Sequence, residues 1–459
     1  MLFRSIVLQG RRWLLLTDSP RRYRHRKYVS QLFQNLQKIP PQDSQLHCKS
    51  HKLMIYNDII QNCHPGGFHL LPLGQRVLDK LIKVIDEELD TIGAQKICMP
   101  TLALASLWKK TDRWDSAGAE LFRLKDRHKQ DYCLGPTHEE LVTDLISKMG
   151  NNLSYKKLPV RLYQISRKFR DEMHPRHGLL RSREFEMKDL YTFDTTEENA
   201  KKTYEEVCQV YENIFNRLGL QFKKVIGATG NIGGKLSHEF LLQSDIGEDT
   251  IIVCNSCQYG RNIEVEDPSV RENKCPSCGS ELDKMSAIEV GHSFLLGTKY
   301  SEILGSTYKD KNGQNIVTQM GCYGLGVTRI LQAGIEVLSE DEAIRWPKII
   351  SPYQICIIPQ MKGYMEEKFM ELANNLYDEL VTVPNLRGEV VIDNRTRFTV
   401  GNRLTQANRL GYPYVVVIGK SAIDEEPKFE LQDIYNKTTD FLSSSQIISK
   451  LSNIKTAGQ

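Results

Sequence analysis

The stretch KFRDEMHPRHGLLRSREF, residues 168–185, concentrates charge around a turn that contains proline and glycine. Arg170 and Glu172 stand two residues apart at the end of a predicted strand, so we expect their side chains on one face. Arg181 and Phe185 lie four apart across the next strand, again on one face. Two guanidiniums, a carboxylate and an aromatic ring suit a nucleoside triphosphate, because arginine binds phosphate bidentately and phenylalanine stacks on a base. The alternative is a solvated hairpin whose charges pair with one another.

A glycine-rich run, GCYGLGVTR, is a second candidate for phosphate binding. Glycine lets a backbone approach a ligand closely, and the N-terminus of a helix favours anions. The run brings Gly321, Gly324 and Gly326 to the predicted start of a helix that carries Arg329. The run lacks the GxxxxGKS/T pattern, so a Walker-type phosphate loop is excluded.

Four cysteines form the pattern CxxC-x17-CxxC at Cys254, Cys257, Cys275 and Cys278. Thiolates at this spacing are typical of a structural, tetrahedral Zn²⁺ site such as that of a zinc ribbon. A vestigial knuckle without metal is the alternative. The chain has eleven cysteines, and the other seven are scattered, which is unlike a secreted disulfide framework and suits a reducing compartment.

Periodicity along the chain predicts the elements that position these groups. Apolar residues at three- and four-residue spacing predict a helix over 77–89, followed by a short strand that stops at Pro100. Two antiparallel strands flank the charged turn, and a helix capped by Thr195 or Thr196 follows them. Residues 287–335 are predicted to form a strand, the glycine run and a helix.

A domain boundary is predicted near IRWPKIISPYQ, where two prolines interrupt the pattern. We expect a first domain over 49–350, with a cysteine-rich insertion at about 251–285. Over 351–459 strands and helices alternate, which predicts a small α/β domain with a mostly parallel sheet. Residues 31–48 are polar and are predicted to form a linker.

The first thirty residues, 1–30, hold eight arginines and lysines against one acid, Asp18, with apolar residues between the early arginines. This composition is typical of a mitochondrial transit peptide and predicts the matrix as the location, while a basic arm that contacts nucleic acid is the alternative. Without these residues the formal charge changes from +4 to about −3, because 53 basic and 56 acidic residues remain. A polyanionic partner would then be held by local basic patches.

Length and composition exclude some classes of protein. A chain of 459 residues suffices for two or three domains with their own cores. A hydrophobic content of 40% and a charged content of 26% are ordinary for a globular protein. No uninterrupted apolar run approaches the length of a membrane span, so no membrane partner is predicted.

Together, the helix and strand that stop at Pro100, the hairpin at 170–185 and the glycine run ending in Arg329 resemble motifs 1, 2 and 3 of the class II aminoacyl-tRNA synthetases, in that order. More closely, roughly residues 49–440 resemble the bacterial-type prolyl-tRNA synthetases. Five blocks carry this closer resemblance: CLGPTHEE (133–140), KFRDE (168–172), SHEF (237–240), IEVGHSFLLGTKYS (288–301) and GCYGLGVTR (321–329).

The resemblance implies an ATP site built from the hairpin and the glycine run. Arg170 is implied to hold the ATP α-phosphate and the substrate carboxylate, and Glu172 to meet the adenine amino group. Arg181 and Arg329 are implied to bind the terminal phosphates, while Phe185 stacks on adenine. Arg170 and Arg329 are thus the implied catalytic side chains, which stabilise charge together with Mg²⁺, and no protein nucleophile is implied.

The resemblance also implies the residues that bind proline. Thr137 and Glu139 are implied to bind the prolyl amine, Arg170 the carboxylate, and His238 of the SHEF block to line the pocket. A secondary ammonium needs a carboxylate partner, which Glu139 supplies. The residues alone leave two alternatives open: Glu139 as an acid near a helix N-terminus, and His238 as a core histidine with satisfied nitrogens.

The implied contacts with tRNA lie in two places. His174 and Arg176 occupy the loop of motif 2 that reaches the acceptor end, and Arg395, Arg397 and Arg403 lie in the C-terminal domain. Arginine suits the edges of guanine bases, and the proline anticodon ends in two guanines. The alternative for the C-terminal arginines is a solvated helix face and a structural ion pair at Arg395.

The resemblance implies an α+β class II catalytic domain, in which helices flank an antiparallel sheet, followed by a small α/β anticodon-binding domain. The implied reaction is the activation of L-proline with ATP and Mg²⁺ and its transfer to mitochondrial tRNA(Pro), by a homodimer formed through the motif 1 helix. The rivals are a class II relative that charges threonine or another small amino acid, and a catalytically inactive synthetase-like protein that binds RNA or a partner.

The chain departs from the bacterial type in two respects. Only residues 186–320 separate motifs 2 and 3, and they contain CNSC and CPSC, so we expect no large editing insertion. His174 stands where bacterial relatives have arginine, in the loop that reaches the acceptor stem.

Overall fold

A nine-stranded sheet, in which most neighbouring strands are antiparallel, forms the centre of the first domain. The computed structural model describes residues 25–40, 46, 48–149, 152–266, 273–360, 363 and 365–457. The elements of this domain are, in chain order, α1 (Lys49–Tyr56), β1 (Ile60–His64), β2 (Gly67–Leu70), α2 (Pro72–Asp90), β3 (Gln95–Lys96), β4 (Leu102–Leu104), α3 (Ala105–Lys110), α4 (Arg113–Ser116), β5 (Arg123–Lys125), β6 (Asp131–Leu134), α5 (Glu139–Ser147), β7 (Val160–Phe169), β8 (Glu184–Asp194), α6 (Glu197–Leu218), β9 (Lys223–Ile226), β10 (Leu236–Gln243), β11 (Asp249–Cys254), β12 (Gly260–Asn262), β13 (Leu282–Gly297), α7 (Lys299–Leu304), β14 (Thr307–Lys309), β15 (Asn315–Val317), β16 (Gln319–Gly326) and α8 (Val327–Leu338).

The large sheet places the predicted motifs side by side. Its strand order is β10–β9–β12–β11–β13–β16–β8–β7–β3, and β13 is long enough to pair with both β10 and β11. Strands β7 and β8 form the predicted antiparallel hairpin, and β8 pairs in turn with β16. Neighbouring strands lie about 4.8 Å apart, so motif 2 and the glycine run meet on one sheet although more than a hundred residues separate them.

Helices cover the sheet and form the core with it. Helix α2 packs against α6 and α8, and both of these helices pack against β8, β13 and β16. The side chain of Thr196 accepts a hydrogen bond from the backbone N–H of Asn199, which confirms the predicted cap of α6. The predicted helix over 77–89 is confirmed within α2. Only Gln95–Lys96 of the predicted strand before Pro100 pair with the sheet.

A smaller, three-stranded sheet of order β4–β6–β5 precedes the hairpin and was not predicted. With α3 and α4 it forms its own apolar cluster around the buried Trp108. This small subdomain ends at the CLGPTHEE block, because β6 leads into the first turn of α5. It therefore lies next to the predicted amine-binding residues.

The C-terminal domain carries a five-stranded sheet of order β18–β17–β19–β20–β21. Its elements are β17 (Ile355–Pro359), α9 (Glu366–Leu380), β18 (Val390–Ile392), α10 (Val400–Leu410), β19 (Tyr414–Ile418), β20 (Phe429–Asp433), β21 (Thr438–Leu442) and α11 (Ser444–Leu451). The first three strands in this order are parallel, as predicted, and β20 and β21 add an antiparallel hairpin at one edge.

The N-terminal residues 25–31 lie against the C-terminal domain. Arg26 forms a two-pronged ion pair with Asp378 on α9, and the Lys27 carbonyl accepts a hydrogen bond from the backbone N–H of Ile392. The predicted transit peptide covers 1–30, of which residues 1–24 lie outside the described residues. Its predicted end at residue 30 falls inside this docked segment. Among the described residues, the structure has no helix that is long and apolar enough to cross a membrane.

Candidate active site

A cavity of about 320 Å³ opens on the face of the large sheet where β8, β13 and β16 run side by side. Its lining includes eight of the predicted site residues: Thr137, Glu139, Arg170, Glu172, Phe185, Gly324, Gly326 and Arg329. Pairing between β8 and β16 places the two predicted phosphate-binding stretches on adjacent strands. The structure therefore brings these stretches together at one cavity, while the role of each residue stays a prediction.

Thr137 and Glu139 form the acidic end of the cavity. Glu139 is the first residue of α5 and is almost completely buried. The Thr137 hydroxyl donates to Glu139 Oε1 at 2.7 Å, which orients the carboxylate. The carboxylate also benefits from the positive end of the helix dipole, so the helix-terminal position and a binding role are compatible. This end of the cavity suits a compact cation.

Arg170 and Phe185 contribute a cation and an aromatic ring to the lining of the same cavity. The guanidinium carbon of Arg170 lies 5.3 Å from the centre of the Phe185 ring. Burial, followed by the charge of Arg329, lowers the pKa of the Arg170 guanidinium from the usual value. Arg170 and Arg329 line the same cavity, and guanidinium groups bind the oxygens of carboxylates and phosphates.

Arg329 is held in place by the backbone and by Glu289. Its Nε donates to the Leu180 carbonyl at 2.9 Å, and a guanidinium nitrogen lies 3.6 Å from Glu289 Oε2. Burial opposes ionisation of Glu289, but a hydrogen bond with His292 and the charges of Arg329 and Arg170 lower its pKa to about 2. Glu289 and His292 lie within the block IEVGHSFLLGTKYS (288–301), but no role was predicted for either residue.

Arg181 and Glu172 lie at the junction with a second recess of about 270 Å³, which shares Arg170, Glu172 and Arg329 with the main cavity. Arg181 Nε donates to Glu172 Oε2 at 2.8 Å, and Arg181 also pairs with Glu248. Arg181 therefore lines the adjoining recess and not the main cavity. Its placement beside Arg329 is compatible with the predicted contact to terminal phosphates.

Two predicted site residues face away from the cavity. His238 Nδ1 forms a 2.7 Å hydrogen bond with the hydroxyl of Tyr204 on α6, and burial lowers the pKa of this histidine to about 4. Gly321 lies under the Tyr323 hydroxyl, where a Cβ would meet that oxygen at 2.3 Å. Alternate residues of a strand point to opposite faces, and both side-chain positions fall on the helix-covered face. The prediction that His238 lines the proline pocket is therefore wrong, while a backbone contact between Gly321 and ATP stays a prediction.

A buried polar network beneath Thr137 was missed in the sequence. The Tyr191 hydroxyl accepts from the backbone N–H of His138 and donates to Asp189 Oδ2 at 3.0 Å. Lys168 Nζ donates to the other oxygen of Asp189 at 2.7 Å. These groups come from β7, β8 and α5, and only the paired hairpin brings them together. The network fixes the backbone that presents Thr137.

Arg113 is a second residue that the sequence did not single out. It lies at the start of α4 in the small subdomain, and its guanidinium contacts the carboxylates of Glu139 and Glu140 at 3.0 Å each. Burial opposes its charge, but these two carboxylates raise the pKa of Arg113 further above its usual value. The sequence around Arg113, TDRW (111–114), contains no motif that indicates this contact.

Cys322 also lines the cavity, from β16. Burial, followed by the charge of Glu139, raises the pKa of its thiol well above the usual value. A thiol that stays protonated is a poor nucleophile. The structure therefore agrees with a site in which no cysteine nucleophile acts.

The predicted tRNA-binding residues divide into accessible and inaccessible ones. His174 and Arg176 are exposed in the loop between β7 and β8. Arg397 is exposed in the C-terminal domain, and Arg395 is paired with the buried Asp393, as the structural alternative anticipated.

Arg403 is the exception among these residues. It is fully buried, and its guanidinium donates to the backbone carbonyls of Asp393 at 2.7 Å and Pro359 at 2.6 Å. The prediction that Arg403 contacts tRNA is wrong, because the guanidinium is fully buried and its two terminal nitrogens bond to the backbone at the ends of β17 and β18, so they cannot reach a base.

The four cysteines of the CxxC pairs converge, with all their sulfur atoms within 4.8 Å of one another. Two of the distances are 3.5 Å, between Cys254 and Cys278, and 3.6 Å, between Cys257 and Cys275. Tetrahedral Zn²⁺ with bonds of about 2.3 Å places its sulfur ligands about 3.8 Å apart. The donor set and its geometry therefore fit Zn²⁺.

The antiparallel sheet, the arginine hairpin and the glycine strand that leads into Arg329 define a class II aminoacyl-tRNA synthetase. Residues 122–338 match the family model described as tRNA synthetase class II core domain (G, H, P, S and T), and residues 354–454 match the anticodon binding domain.

Curated relatives place the chain more narrowly. It is 50% identical over 412 residues to "Probable proline--tRNA ligase, mitochondrial" of Mus musculus, which covers 90% of this chain and 86% of that protein. It is 42% identical to the protein of that name from Schizosaccharomyces pombe, over 82% and 87% of the two chains. The chain therefore belongs to the proline--tRNA ligase family of class II synthetases.

Solved structures agree on the fold. A Giardia lamblia prolyl-tRNA synthetase in complex with prolyl-adenylate matches with a TM-score of 0.73 and 19% identity, over 86% of this chain and 73% of that chain. The predicted fold, a class II catalytic domain followed by a small anticodon-binding domain, is confirmed.

Proposed function

We propose that this protein activates L-proline with ATP and transfers the prolyl group to mitochondrial tRNA(Pro). One observation supports this most strongly: the same cavity is lined by a carboxylate, Glu139, and by a guanidinium, Arg170. A zwitterionic amino acid needs both charges. The continuation of the same cavity to Phe185 and Arg329 provides for a nucleotide beside the amino acid.

Proline recognition is assigned to the acidic end of the cavity. Glu139 accepts from the secondary ammonium, and Thr137 orients this carboxylate and offers its own oxygen to the amine. Arg170 binds the proline carboxylate. His238 is left out of this set, because its ring faces α6.

ATP is assigned to the wall formed by the hairpin and the glycine strand. Phe185 stacks on adenine, Glu172 accepts from the adenine amino group, and Arg170 binds the α-phosphate. Arg329 binds the terminal phosphates from the main cavity, and Arg181 does so from the adjoining recess. Gly324 and Gly326 both line the cavity, and at Gly326 an added Cβ would crowd Arg329 Cβ, at 3.2 Å.

The magnesium ions that accompany ATP need oxygen ligands. Glu289 and Asp249 are carboxylates beside Arg170 and Arg329 and would hold such an ion. Bound Mg²⁺ would neutralise part of the phosphate charge, in addition to the part that the arginines neutralise.

Catalysis consists of positioning and charge stabilisation. An oxygen of the proline carboxylate attacks the α-phosphorus of ATP, and the bond to the bridging oxygen breaks, so pyrophosphate leaves and prolyl-adenylate remains. The terminal ribose hydroxyl of tRNA then attacks the acyl carbon, loses its proton and expels AMP. Arg170 contacts the α-phosphate during activation and stabilises the charge that develops there.

The tRNA is assigned to two surfaces. His174 and Arg176 on the exposed hairpin loop contact the acceptor end, and Arg395 and Arg397 on the C-terminal domain contact the anticodon. Location in the mitochondrial matrix is supported by the mitochondrial names of the relatives and by the basic composition of residues 1–30. A homodimer through α2, the motif 1 helix, completes the proposal and is tested by light scattering.

Structural Zn²⁺ at the four cysteines is also proposed, with no catalytic role because four thiolates leave no open position. The converging sulfur atoms support it. Metal analysis of reduced, chelator-free protein is expected to find about one zinc per chain. A value well below one removes this part of the proposal.

Pyrophosphate exchange with purified protein and each amino acid in turn tests the central proposal. Exchange with proline alone is the expected result. Exchange with threonine or another small amino acid would assign a different specificity, and no exchange with any amino acid would favour an inactive synthetase-like protein that binds RNA or a partner. The coexistence of Arg170, Glu172, Phe185 and Arg329 at one cavity favours the active enzyme, because a binding module needs no triphosphate site.

A further inference from the structure

Arg113 stands behind the carboxylate that is proposed to bind the prolyl amine. One guanidinium nitrogen lies 3.0 Å from Glu139 Oε2, while Thr137 donates to Oε1 of the same carboxylate at 2.7 Å. Both oxygens of Glu139 are therefore held, one from the small subdomain and one from its own loop. A carboxylate held at both ends has a fixed orientation toward the cavity.

The same guanidinium nitrogen serves Glu140. It lies 3.0 and 3.1 Å from the two oxygens of that carboxylate, which also accepts from the Thr111 hydroxyl at 2.9 Å. One cation thus faces two anions, and the formal charge of the group of three is −1. A single negative charge matches the single positive charge of a secondary ammonium.

Aromatic rings fix the guanidinium from its other sides. Its central carbon lies 4.7 Å from the centre of the Trp108 ring and 5.8 Å from that of Tyr300. Trp108 is the buried centre of the small subdomain, so this subdomain reaches the cavity through Arg113. Stacked, two-sided contacts of this kind suit arginine and are not reproduced by lysine.

We propose that Arg113 is a positioning residue for proline binding: it orients Glu139 toward the amine and, with Glu140, forms a group of three side chains whose formal charge is −1. The proposal rests on the proposed function, because it assigns the amine of proline to Glu139. Arg113 itself lies behind the cavity wall and acts through Glu139.

The surroundings of Glu139 limit which groups can titrate with it. Besides Arg113 and Glu140, the groups that face it are Tyr191 and Asp189 on β8, Cys322 on β16, Lys299 and Tyr300 on α7, and His138 before α5. Burial keeps the phenols and the thiol protonated and His138 neutral, because it raises the pKa of the former and lowers that of the latter. Asp189 is paired with Lys168, and Lys299 donates to the backbone carbonyls of Asn231 and Ile232, so Arg113 is the cation that directly contacts both carboxylates of Glu139 and Glu140.

Arg113→Met tests the proposal through the Michaelis constants in pyrophosphate exchange. Loss of a charged hydrogen-bond partner is expected to raise the KM for proline about 10- to 100-fold, while the KM for ATP changes less than about twofold. Arg123→Met is the matched control, because Arg123 is an exposed arginine of the same subdomain, and no change in the KM for proline is expected.

The pH profile separates positioning from a general structural effect. Without the cation, the two buried carboxyls share a proton at neutral pH, so Glu139 carries that proton for part of the time and then cannot accept from the ammonium. In Arg113→Met the KM for proline is therefore expected to fall as pH rises. In the unsubstituted protein, the KM for proline is expected to stay constant over the pH range in which the proline amine stays protonated.

A double-mutant cycle with Glu140→Gln gives the decisive result. Glu140→Gln alone leaves Arg113 to neutralise Glu139 and is expected to raise the KM for proline about tenfold. The double variant returns the group to a charge of −1, so its KM is expected to lie about tenfold below that of Arg113→Met. Multiplicative effects of the two substitutions would overturn the proposal, as would an unchanged KM for proline in Arg113→Met.

Folding is checked by thermal unfolding of each variant. If Arg113→Met fails to fold, Arg113→Lys and Glu140→Gln are compared in its place; both must raise the KM for proline selectively, and an equal loss for proline and ATP would overturn the proposal. Failure of the proposed function has a different signature. In that case the unsubstituted protein shows no exchange with proline, or Glu139→Gln leaves the KM for proline unchanged.

Discussion

Two regions of the molecule carry closely spaced arginines, and the structure uses them in opposite ways. In the catalytic hairpin, Arg170 opens onto the cavity beside Phe185. In the C-terminal domain, Arg403 is fully buried and donates to two backbone carbonyls. A fully buried guanidinium cannot contact a ligand, whereas one that lines a cavity can. The comparison shows that access to a cavity, and not arginine spacing, separates binding residues from structural ones.

Arg170→Lys gives the largest expected effect on the catalytic side of this comparison. Lysine keeps the charge but cannot bind phosphate and carboxylate with a planar fork, so kcat/KM for pyrophosphate exchange is expected to fall about 100- to 1000-fold. Arg167→Lys is the control, because Arg167 is exposed on the same strand and pairs with Glu184. A loss of less than about threefold in Arg170→Lys would place Arg170 among the structural arginines.

Arg403→Met is expected to act on stability. It leaves the carbonyls of Asp393 and Pro359 without their partner, which costs about 2 kcal/mol or more of unfolding free energy. Pyrophosphate exchange by the folded protein is expected to be unchanged, since the site lies in the other domain. Denaturant unfolding measures the first effect, with the exposed Arg397→Met as the control. Normal stability together with weaker tRNA binding would return Arg403 to the anticodon site.

His238→Leu applies the same distinction within the catalytic sheet. Loss of the hydrogen bond to Tyr204 is expected to reduce the unfolding free energy by about 1 kcal/mol, and the KM for proline is expected to change less than about twofold. Thermal unfolding and proline titration in pyrophosphate exchange measure the two quantities. A selective rise in the KM for proline, comparable to that of Glu139→Gln, would contradict the assignment of His238 to the core.

Arg397→Ala gives the smallest expected effect. An exposed arginine that contacts tRNA contributes modestly, so the KM for tRNA is expected to rise about two- to fivefold, and the salt dependence of tRNA binding is expected to weaken. Pyrophosphate exchange, which proceeds without tRNA, serves as the internal control. Equal losses in exchange and in aminoacylation would mean that Arg397 affects the fold and not the RNA contact.

Local structure was predictable where a short pattern is sufficient to specify it. Helix α8, the cap at Thr196 and the hairpin of β7 and β8 were predicted and are confirmed. In each case the signal consists of apolar periodicity or a capping side chain within a few residues. The glycine run was predicted between strand and helix, but it forms the end of β16 itself.

The site was predictable only in part. Arg170, Phe185 and Arg329 were found because their motifs are local and resemble a known family. Arg113 was missed, because its partners lie on α5 and its own surroundings carry no motif. Glu289 was missed for a similar reason, since its charge is set by Arg170 and Arg329 from other strands.

By itself, the sequence determined the class of protein, the order of its domains and the residue types available for binding. These properties follow from local periodicity and from motifs of a few residues, which do not depend on distant parts of the chain. Only the tertiary structure decided which face each side chain occupies and what it bonds to. His238 and Arg403 carry the right chemistry for binding, yet strand alternation directs the His238 ring to Tyr204, and burial encloses Arg403. Arg113 reaches Glu139 only through packing between distant segments.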